Sequence, residues 1–497
     1  MVTQAAPQTA ATRARPMLTV VRELSADFET PASVYLKLAN GKPSFLLESV
    51  TGGDQVARYS FIGVDLDHAF VLRNDALEQH SPNGVTQQSI PEGGDPFDAL
   101  RQHMQQRQPN GNHDLPRFSG GLVGYTSYDI VRYFEPTVPL TPHPQLPEAI
   151  FLQADTLVAF DHAFGRILLI ANVLEQDGAE TAQAEANKQL DELEERLQAA
   201  LPSLPKNTLE DEAAEFASNV EKEAFMRAVE QAKEHIAAGD IFQVVLSQRL
   251  SRQTQSDPFT VYRSLRRLNP SPYMFFFNFG ELVNEEPMYV IGASPEMHVR
   301  LEGDTAALRP IAGTRPRGAT FEEDKNLEVE LLDDPKECAE HVMLVDLARN
   351  DLGRVCEYGS INVSDFMSIE RYSHVMHIVS HVEGQLRPDY DAFDLLRATF
   401  PAGTVSGAPK IRAMQIIDDL ETDPRGAYAG AVGYFSYDGS LDTCITIRTL
   451  VMQGQEISVQ AGAGIVADSD PAREHEETLN KARALAEAVA LAERGGK

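Results

Sequence analysis

Short apolar runs separated by turn residues dominate the first third of the chain. PSFLLES (43–49), YSFIGVD (59–65), HAFVLRN (68–74), AIFLQADTLVAFD (149–161) and GRILLIANV (165–173) are β-rich and bounded by Gly, Pro, Asn, Asp or Ser. That pattern predicts strands of an antiparallel sheet. The period then changes. Leucines spaced three and four apart in ANKQLDELEERLQAAL predict a helix over 181–201. PSLPKNTLEDEAAEF (202–216), rich in proline, polar and acidic residues, reads as a linker. SNVE (218–221) has the spacing of a capping box and predicts a helix running to about residue 238. Strand-like runs return in IFQVVLSQRL, YMFFFNFG, MYVIGAS and MHVRLEG. Residues 428–466 read as a three-strand meander turning at Asp438-Gly439 and Gln453-Gly454. With no repeat and no βαβ alternation, the expected class is α+β: antiparallel sheets packed with helices.

Composition narrows this further. The linker divides the 497 residues into an N-terminal domain (17–205) and a C-terminal domain (206–497), behind a flexible tail at 1–16. An apolar content of 42% supports sizeable cores. A formal charge of −31 argues against nucleic-acid binding, which needs clustered Lys and Arg. Any anionic ligand must therefore meet a local positive site. Cys338, Cys356 and Cys444 are scattered without CxxC spacing, which suits a reducing compartment and argues against a disulfide framework or zinc site. No apolar run approaches the roughly 18 residues that span a bilayer, so a cytoplasmic location is expected.

Several short motifs carry candidate chemistry. RPIAGTRPRG (309–318) sets Gly313 and Thr314 among three arginines, and Arg315 and Arg317 are suited to neutralising carboxylates. Asp334-Pro335 and Asp470-Pro471 each predict a helix start, with Asp as cap and Pro in the first turn. Glu337 and Glu340 follow on one helix, Glu474 and Glu477 on the other, so each pair shares a helix face. On spacing alone these are either two solvated acidic helix starts or two halves of a site for a hard divalent cation. Glu296 follows Ser294-Pro295 between two strand-like runs, where a carboxyl projects from a rigid turn. Arg448 is the residue type that grips a carboxylate with two hydrogen bonds. The glycines of Gly462-Ala463-Gly464 permit close approach of backbone N–H groups.

In chain order, GASPE (292–296), RPIAGTRPRG, KECAEHVMLVDLARNDLGR (336–354), TVSGAPK (404–410), GAGIV (462–466) and EETLNKA (476–482) resemble the chorismate-utilising enzymes. The resemblance spans about 17–492 and implies that family's fold. It implies Mg²⁺ as cofactor, held by Glu340 and Glu477 with Glu337 and Glu474 nearby. It implies Glu296 as the general acid for the departing C4 hydroxyl, with a raised pKa. By the same resemblance His377 serves the second half-reaction and Thr404 contacts the reacting substrate. Chorismate would be bound by Gly313, Thr314, Tyr428, Arg448, Gly462, Ala463, Gly464 and Lys481.

Two positions point to one branch of the family. Gln243 stands where the water-adding isochorismate and salicylate synthases carry a lysine base, and glutamine cannot activate water. Ala312 stands where many aminodeoxychorismate synthases carry a nucleophilic lysine. The resemblance then implies ammonia addition at C2 and release of anthranilate and pyruvate, the first step of tryptophan biosynthesis. Aminodeoxychorismate or aminodeoxyisochorismate synthesis, or a metal-binding regulatory role, are the alternatives. The contexts ECAE, VCEY and TCIT offer no Gly-rich nucleophile elbow, so ammonia is expected from a separate glutaminase subunit, in a heterotetramer of two large and two small subunits. LLES (46–49) and NPSPYMFFF (269–277) resemble the family's tryptophan site. They imply feedback inhibition through Glu48, Ser49, Pro272, Tyr273 and Met274, with Glu48 pairing the α-ammonium.

Overall fold

A computed structural model describes residues 15–49, 58–110, 115–202, 215–372 and 375–495. Among the described residues the strands form two large sheets, of 13 and 12 strands. Neighbours are antiparallel except for the first strand, Arg15–Ser25, which lies parallel to Arg107–Asn110. The strand Tyr273–Gly280 shows how side-chain alternation builds the layers. Phe275, Phe277 and Phe279 enter an aromatic core shared by both sheets, together with Phe45, Phe61 and Phe118. Met274 and Phe276 point the other way, into a core formed with helices.

Those helices are Pro31–Leu38, Ala179–Leu197, Pro258–Leu268 and Pro471–Glu493. They bury Val34, Leu190, Leu265 and Leu485 against the outer face of the first sheet. On the far side Asp98–Gln105, Pro335–Gly353 and Ala392–Thr399 cover the second sheet through Leu100, Val345 and Leu396, while Lys410–Leu420 packs on Gln243–Gln253 at the end of the first sheet. The result is four layers, helices over sheet over sheet over helices. No described helix is long and apolar enough to cross a membrane.

Two crossings join the sheets side by side. The strand Met288–Ser294 belongs to the first sheet and Met297–Glu302 to the second, with only Pro295 and Glu296 between them. Leu441–Ile445 belongs to the second sheet and Thr449–Gln453 to the first. Backbone bonds stitch the crossings together: Ile445 N–H to the Glu296 carbonyl at 3.1 Å, and Ala293 N–H to the Arg448 carbonyl at 3.0 Å. Arg448 makes the second crossing with a φ of 52°, a left-handed conformation that costs a non-glycine residue energy.

Some expectations need correction. Residues 428–466 hold four strands, not three, because the run from Ala431 to Ile445 and the run from Thr449 to Ile465 lie in different sheets. The turns at Gly439 and Gly454 form as expected, with φ of 91° and 55°. The 218–221 capping box does not form. Ser218 sits in a short strand paired with Leu250, and its hydroxyl donates to Gln248 at 2.7 Å. The helix starts at Lys222 instead and runs to Ala238. The helix expected over 181–201 spans Ala179–Leu197. Of the expected tail, Arg15 and Pro16 already belong to the first strand, and 1–14 lie outside the described residues, as does most of the linker (203–214).

The segments 17–205 and 206–497 share both sheets. Tyr273–Gly280 pairs with Ser44–Glu48, and Ala431–Ser436 pairs with Gly121–Thr126. Separating the segments would expose two long apolar strand edges, which invite aggregation. Residues 215–497 expressed alone should therefore give insoluble or non-cooperatively melting material, and co-expression with 1–202 should restore a sharp transition. A soluble 215–497 fragment with its own cooperative thermal melt would show that the segments fold independently.

Candidate active site

Glu296 occupies the first crossing, and its side chain is only 6% exposed as part of the residue. The turn before it is pinned by the Ser294 hydroxyl, which donates to the Ile445 carbonyl at 2.7 Å. Thr404, in a short 3₁₀ turn at Gly403–Val405, donates its hydroxyl to Glu296 Oε1 at 2.7 Å. Burial pushes the carboxyl up to about 8, against the smaller downward pull of the Thr404 bond. The direction of that shift is the one a proton donor needs.

Arg448 sits at the second crossing. Burial lowers its pKa, and no carboxylate among the described residues pairs with its guanidinium. Its charge is felt by His377, whose own pKa is lowered chiefly by burial. His377 lies on the strand Val375–Gln385, opposite Thr314 of the strand Ile311–Pro316. Its Nδ1 is 3.0 Å from both the Gly313 carbonyl and the Thr314 hydroxyl. A carbonyl only accepts, so Nδ1 carries the proton and Nε2 keeps its lone pair. Gly313 creates this contact through a bulge with a φ of 69°, and a Cβ there would lie 3.3 Å from Glu337 Oε2. The ring of Tyr372 stands edge-on to His377 at 5.6 Å and also feels the charge of Glu296, so the acid and the histidine share one neighbourhood.

Both Asp-Pro helix starts form as expected. Asp334 accepts from the Lys336 and Glu337 amides, and Asp470 from those of Ala472 and Arg473. Burial, then the neighbouring Glu340, raises Glu337. Burial likewise raises Glu474, with Glu477 adding to it, while Lys336 on the other helix pulls it down. The two helix starts thus face each other closely enough for Lys336 to act on Glu474. Glu340 accepts from Gln243 Nε2 at 3.1 Å, and Glu477 pairs with Lys481 at 2.8 Å. Among the described residues no three His, Cys, Asp or Glu side chains converge into a ready coordination shell.

The segment 462–464 threads between these groups. Lys481 also donates to the Gly462 carbonyl at 2.9 Å. A Cβ on Gly462 would lie 2.6 Å from the Tyr428 hydroxyl, and one on Gly464 2.5 Å from Gln243 Nε2. At 462 the backbone carbonyl of Leu246 also lies 2.9 Å from that Cβ, so glycine is needed there, whereas at 464 only the tip of Gln243 would have to move. Tyr428 is buried beneath the Arg425 guanidinium, 5.5 Å from its ring centre. The sequence reading missed Arg425, Glu421 and Asp351 as part of this framework; all three are charged residues on or near helices, and their burial was the only signal.

Not every candidate serves the cleft. Arg315 is occupied by Glu330, Asp334 and Glu337, and Arg317 by Asp324. The cluster is a structural clamp on the helix starts, so neither arginine is free for a ligand. A separate cavity between the sheets is lined by Ser49, Pro272, Tyr273 and Met274, with Glu48 at its border. The buried Ser49 hydroxyl has no hydrogen-bond partner among the described residues. Glu48 corrects the expectation for it: its two oxygens are taken by Tyr262 and by Arg266 at 3.0 and 3.1 Å, on the helix side of the strand. An α-ammonium would therefore have to share a carboxylate already bonded to Tyr262 and Arg266.

Comparison with known proteins agrees with the arrangement. Residues 42–487 match the chorismate binding enzyme family. The chain is 50% identical over 493 residues to anthranilate synthase component 1 of Synechocystis sp., covering 95% of each chain. It is also similar to the crystal structure of anthranilate synthase component I from Streptococcus pneumoniae, at 39% identity and a TM-score of 0.73, covering 86% of this chain and 92% of that one. The menaquinone-specific isochorismate synthase MenF of Escherichia coli shares the fold at 19% identity and a TM-score of 0.72, covering 96% of this chain and 95% of that one. With the acid, the unpaired arginine and the twin helix starts all in place, the chain belongs to the chorismate binding enzymes, in the group of anthranilate synthase component 1.

Proposed function

We propose that this chain binds chorismate and converts it, with ammonia, to anthranilate and pyruvate, acting as the large component of an anthranilate synthase. The observation that carries this reading is Arg448, a desolvated guanidinium without an acid partner among the described residues, at the crossing that is backbone-bonded to the one holding Glu296, whose pKa burial raises. A strongly acidic chain that leaves one buried cation unpaired has reserved it for an anionic ligand. Chorismate is a dicarboxylate that must lose a hydroxyl, so it needs both groups.

The chemistry follows from the residues. Arg448 holds a substrate carboxylate through its two-pronged face. Ammonia bonds to C2 as the ring double bonds shift and the C4–oxygen bond breaks. Glu296 gives its proton to the departing hydroxyl, which leaves as water. Loss of the C2 proton then breaks the C3–oxygen bond and aromatises the ring, and the enolpyruvate that leaves takes up a proton at its methylene carbon to become pyruvate. The neutral His377, whose Nε2 has no partner among the described residues, is suited to accept that proton. Gln243 donates to Glu340 and has no basic nitrogen, which favours ammonia over activated water as the nucleophile.

The donor set also fits Mg²⁺. Glu340 and Glu477, with Glu337 and Glu474 beside them, supply only oxygen, and Glu337 and Glu474 are raised chiefly by burial, with Glu340 and Glu477 adding a like-charge contribution that a cation would relieve. When bound, Mg²⁺ would offset the charge of a substrate carboxylate. Ammonia is proposed to come from a glutaminase component, in keeping with the relatives' designation as component 1. The cavity at Ser49 is proposed to take tryptophan, whose polar end would satisfy the unpartnered hydroxyl and whose indole would lie against Pro272, Tyr273 and Met274. A two-state coupling of about 1–3 kcal/mol between that cavity and the cleft suffices for feedback inhibition.

Three outcomes test this. With chorismate, Mg²⁺ and ammonium the protein should form fluorescent anthranilate, and Arg448→Ala should lower kcat/KM by about 100-fold or more, the loss of two charge-assisted bonds of about 1.5 kcal/mol each. Anthranilate formation at the native rate by Arg448→Ala would remove the carboxylate role. Activity should fall as pH rises through about 8, where Glu296 loses its proton. Thr404→Val, which removes a hydrogen bond favouring the carboxylate, should move that alkaline limb to higher pH; an unmoved limb would separate it from Glu296. Ser49→Leu should relieve tryptophan inhibition while sparing catalysis, and identical inhibition curves for variant and native protein would reject the cavity as the inhibitor site.

A further inference from the structure

The TVSGAPK loop ends in Lys410, whose role the reaction as written leaves open. Its side chain and that of Asp351 are each 8% exposed, with Nζ 2.7 Å from Asp351 Oδ2. The same ammonium donates to the Thr399 carbonyl at 2.8 Å, five residues before Thr404. On the other side of Thr404 a second buried pair does the equivalent. Arg425 (side chain 2% exposed) pairs with Glu421 (11% exposed) at 2.7 Å and donates to the Val405 carbonyl at 2.7 Å and the Val245 carbonyl at 2.6 Å. Glu421 is itself held by the Ser247 amide and hydroxyl at 2.7 and 2.9 Å.

Burying two ion pairs is costly, and replacing such pairs by apolar residues is often neutral or stabilising. Stability alone is a weak reason to have them. What they share is that each cation spends a donor on a main-chain carbonyl flanking Thr404. Glu296, Asp351 and Thr404 line one small cavity. Asp351 also lies on the helix that carries Glu340, about 16 Å further along at 1.5 Å per residue. The helix of the glutamate pair and the loop of the threonine are thereby tied to each other.

We propose that Lys410–Asp351 and Arg425–Glu421 are positioning residues, a two-sided clamp that fixes the Thr404 hydroxyl on Glu296 for proton transfer. Without the clamp the loop keeps its sequence but not its register against the acid, and the 2.7 Å bond is lost. The effect falls on the chemical step and leaves Arg448 untouched. This inference rests on Glu296 being the proton donor of the proposed reaction.

The test uses the full chain with chorismate, Mg²⁺ and ammonium, so that no partner is needed. Lys410→Met with Asp351→Leu removes one pair without stranding a charge. It should lower kcat by about tenfold or more, within the about 10²–10⁴ that a positioned proton donor supplies, with KM for chorismate little changed. The alkaline limb of its pH profile should move up as in Thr404→Val, and adding Thr404→Val should produce no further change. The ionisable groups facing Glu296 are His298, Arg309, Asp351 and Tyr372. His298 is held down to about 3 by burial and Lys410, and Arg309 pairs with Glu370. Burial raises Tyr372, and it raises Asp351 against the pull of Lys410. The limb is assigned to Glu296 by its disappearance in Glu296→Gln. Should the Lys410 variant fail to fold, Arg425→Lys keeps the charge but loses the fork that reaches two carbonyls, and it should give the same signature. A folded variant with native kcat and limb, or losses that add in full to those of Thr404→Val, would overturn the clamp. Native activity in Glu296→Gln would instead overturn the reading of the acid on which the clamp depends.

Discussion

Two strands change sheet next to each other, at Pro295-Glu296 and between Ile445 and Thr449, and the reactive part of the molecule depends on that double crossing. Strands that part company leave their side chains between layers, neither in the inter-sheet core nor under the helices. Glu296 and Arg448 are the residues left there. The crossings brace each other through backbone bonds of 3.0 and 3.1 Å, so the acid and the cation are held by main chain rather than by flexible loops. Arg448 adopts a left-handed φ of 52° to complete the second crossing. Non-glycine residues in that region are tolerated when the surroundings over-determine them, and such positions cluster at functional sites.

Electrostatics follow from the same geometry. The chain carries a formal −31, yet several of its buried acids are paired with cations: Glu421 with Arg425, Asp351 with Lys410, Glu48 with Arg266. Glu296, like Asp129, has no ion pair among the described residues, and burial raises its pKa against the pull of its hydrogen bond from Thr404. Arg448 is the opposite case, a buried cation with no acid of its own among the described residues. A buried acid without a cation and a buried arginine without an acid among the described residues are each costly for a folded protein by itself, and the proposed hydroxylated carboxylate would relieve both.

Local signals were legible in the sequence wherever the physics was local. Asp334-Pro335 and Asp470-Pro471 announce their helices because cap and first-turn proline act within three residues. The strands from Ser44 to Leu174 and the turn glycines at 439 and 454 were equally plain. Long-range facts were not. Nothing in the 428–466 pattern shows that its hairpins belong to different sheets, since alternation is the same on either side of the crossing. SNVE satisfied the capping-box spacing, but pairing of Ser218 with Leu250 took the residue into a strand. Glu48 had the right charge for an amine, and only the helix Pro258–Leu268 packing above it reveals that Tyr262 and Arg266 already claim it. The Glu296–Thr404 bond joins residues 108 apart, and the resemblance to a family supplied both names without supplying the contact.

The protonation state of Glu296 is the most direct point of contact between this geometry and the chemistry. Infrared difference spectra of the native protein against Glu296→Gln, recorded as pH is raised, isolate the carboxylic acid band of that one side chain. The expected result is a neutral carboxyl at pH 7 that titrates with a midpoint at about 8. A carboxylate already ionised in the ordinary range for glutamate would contradict both its burial at the crossing and its role as proton donor.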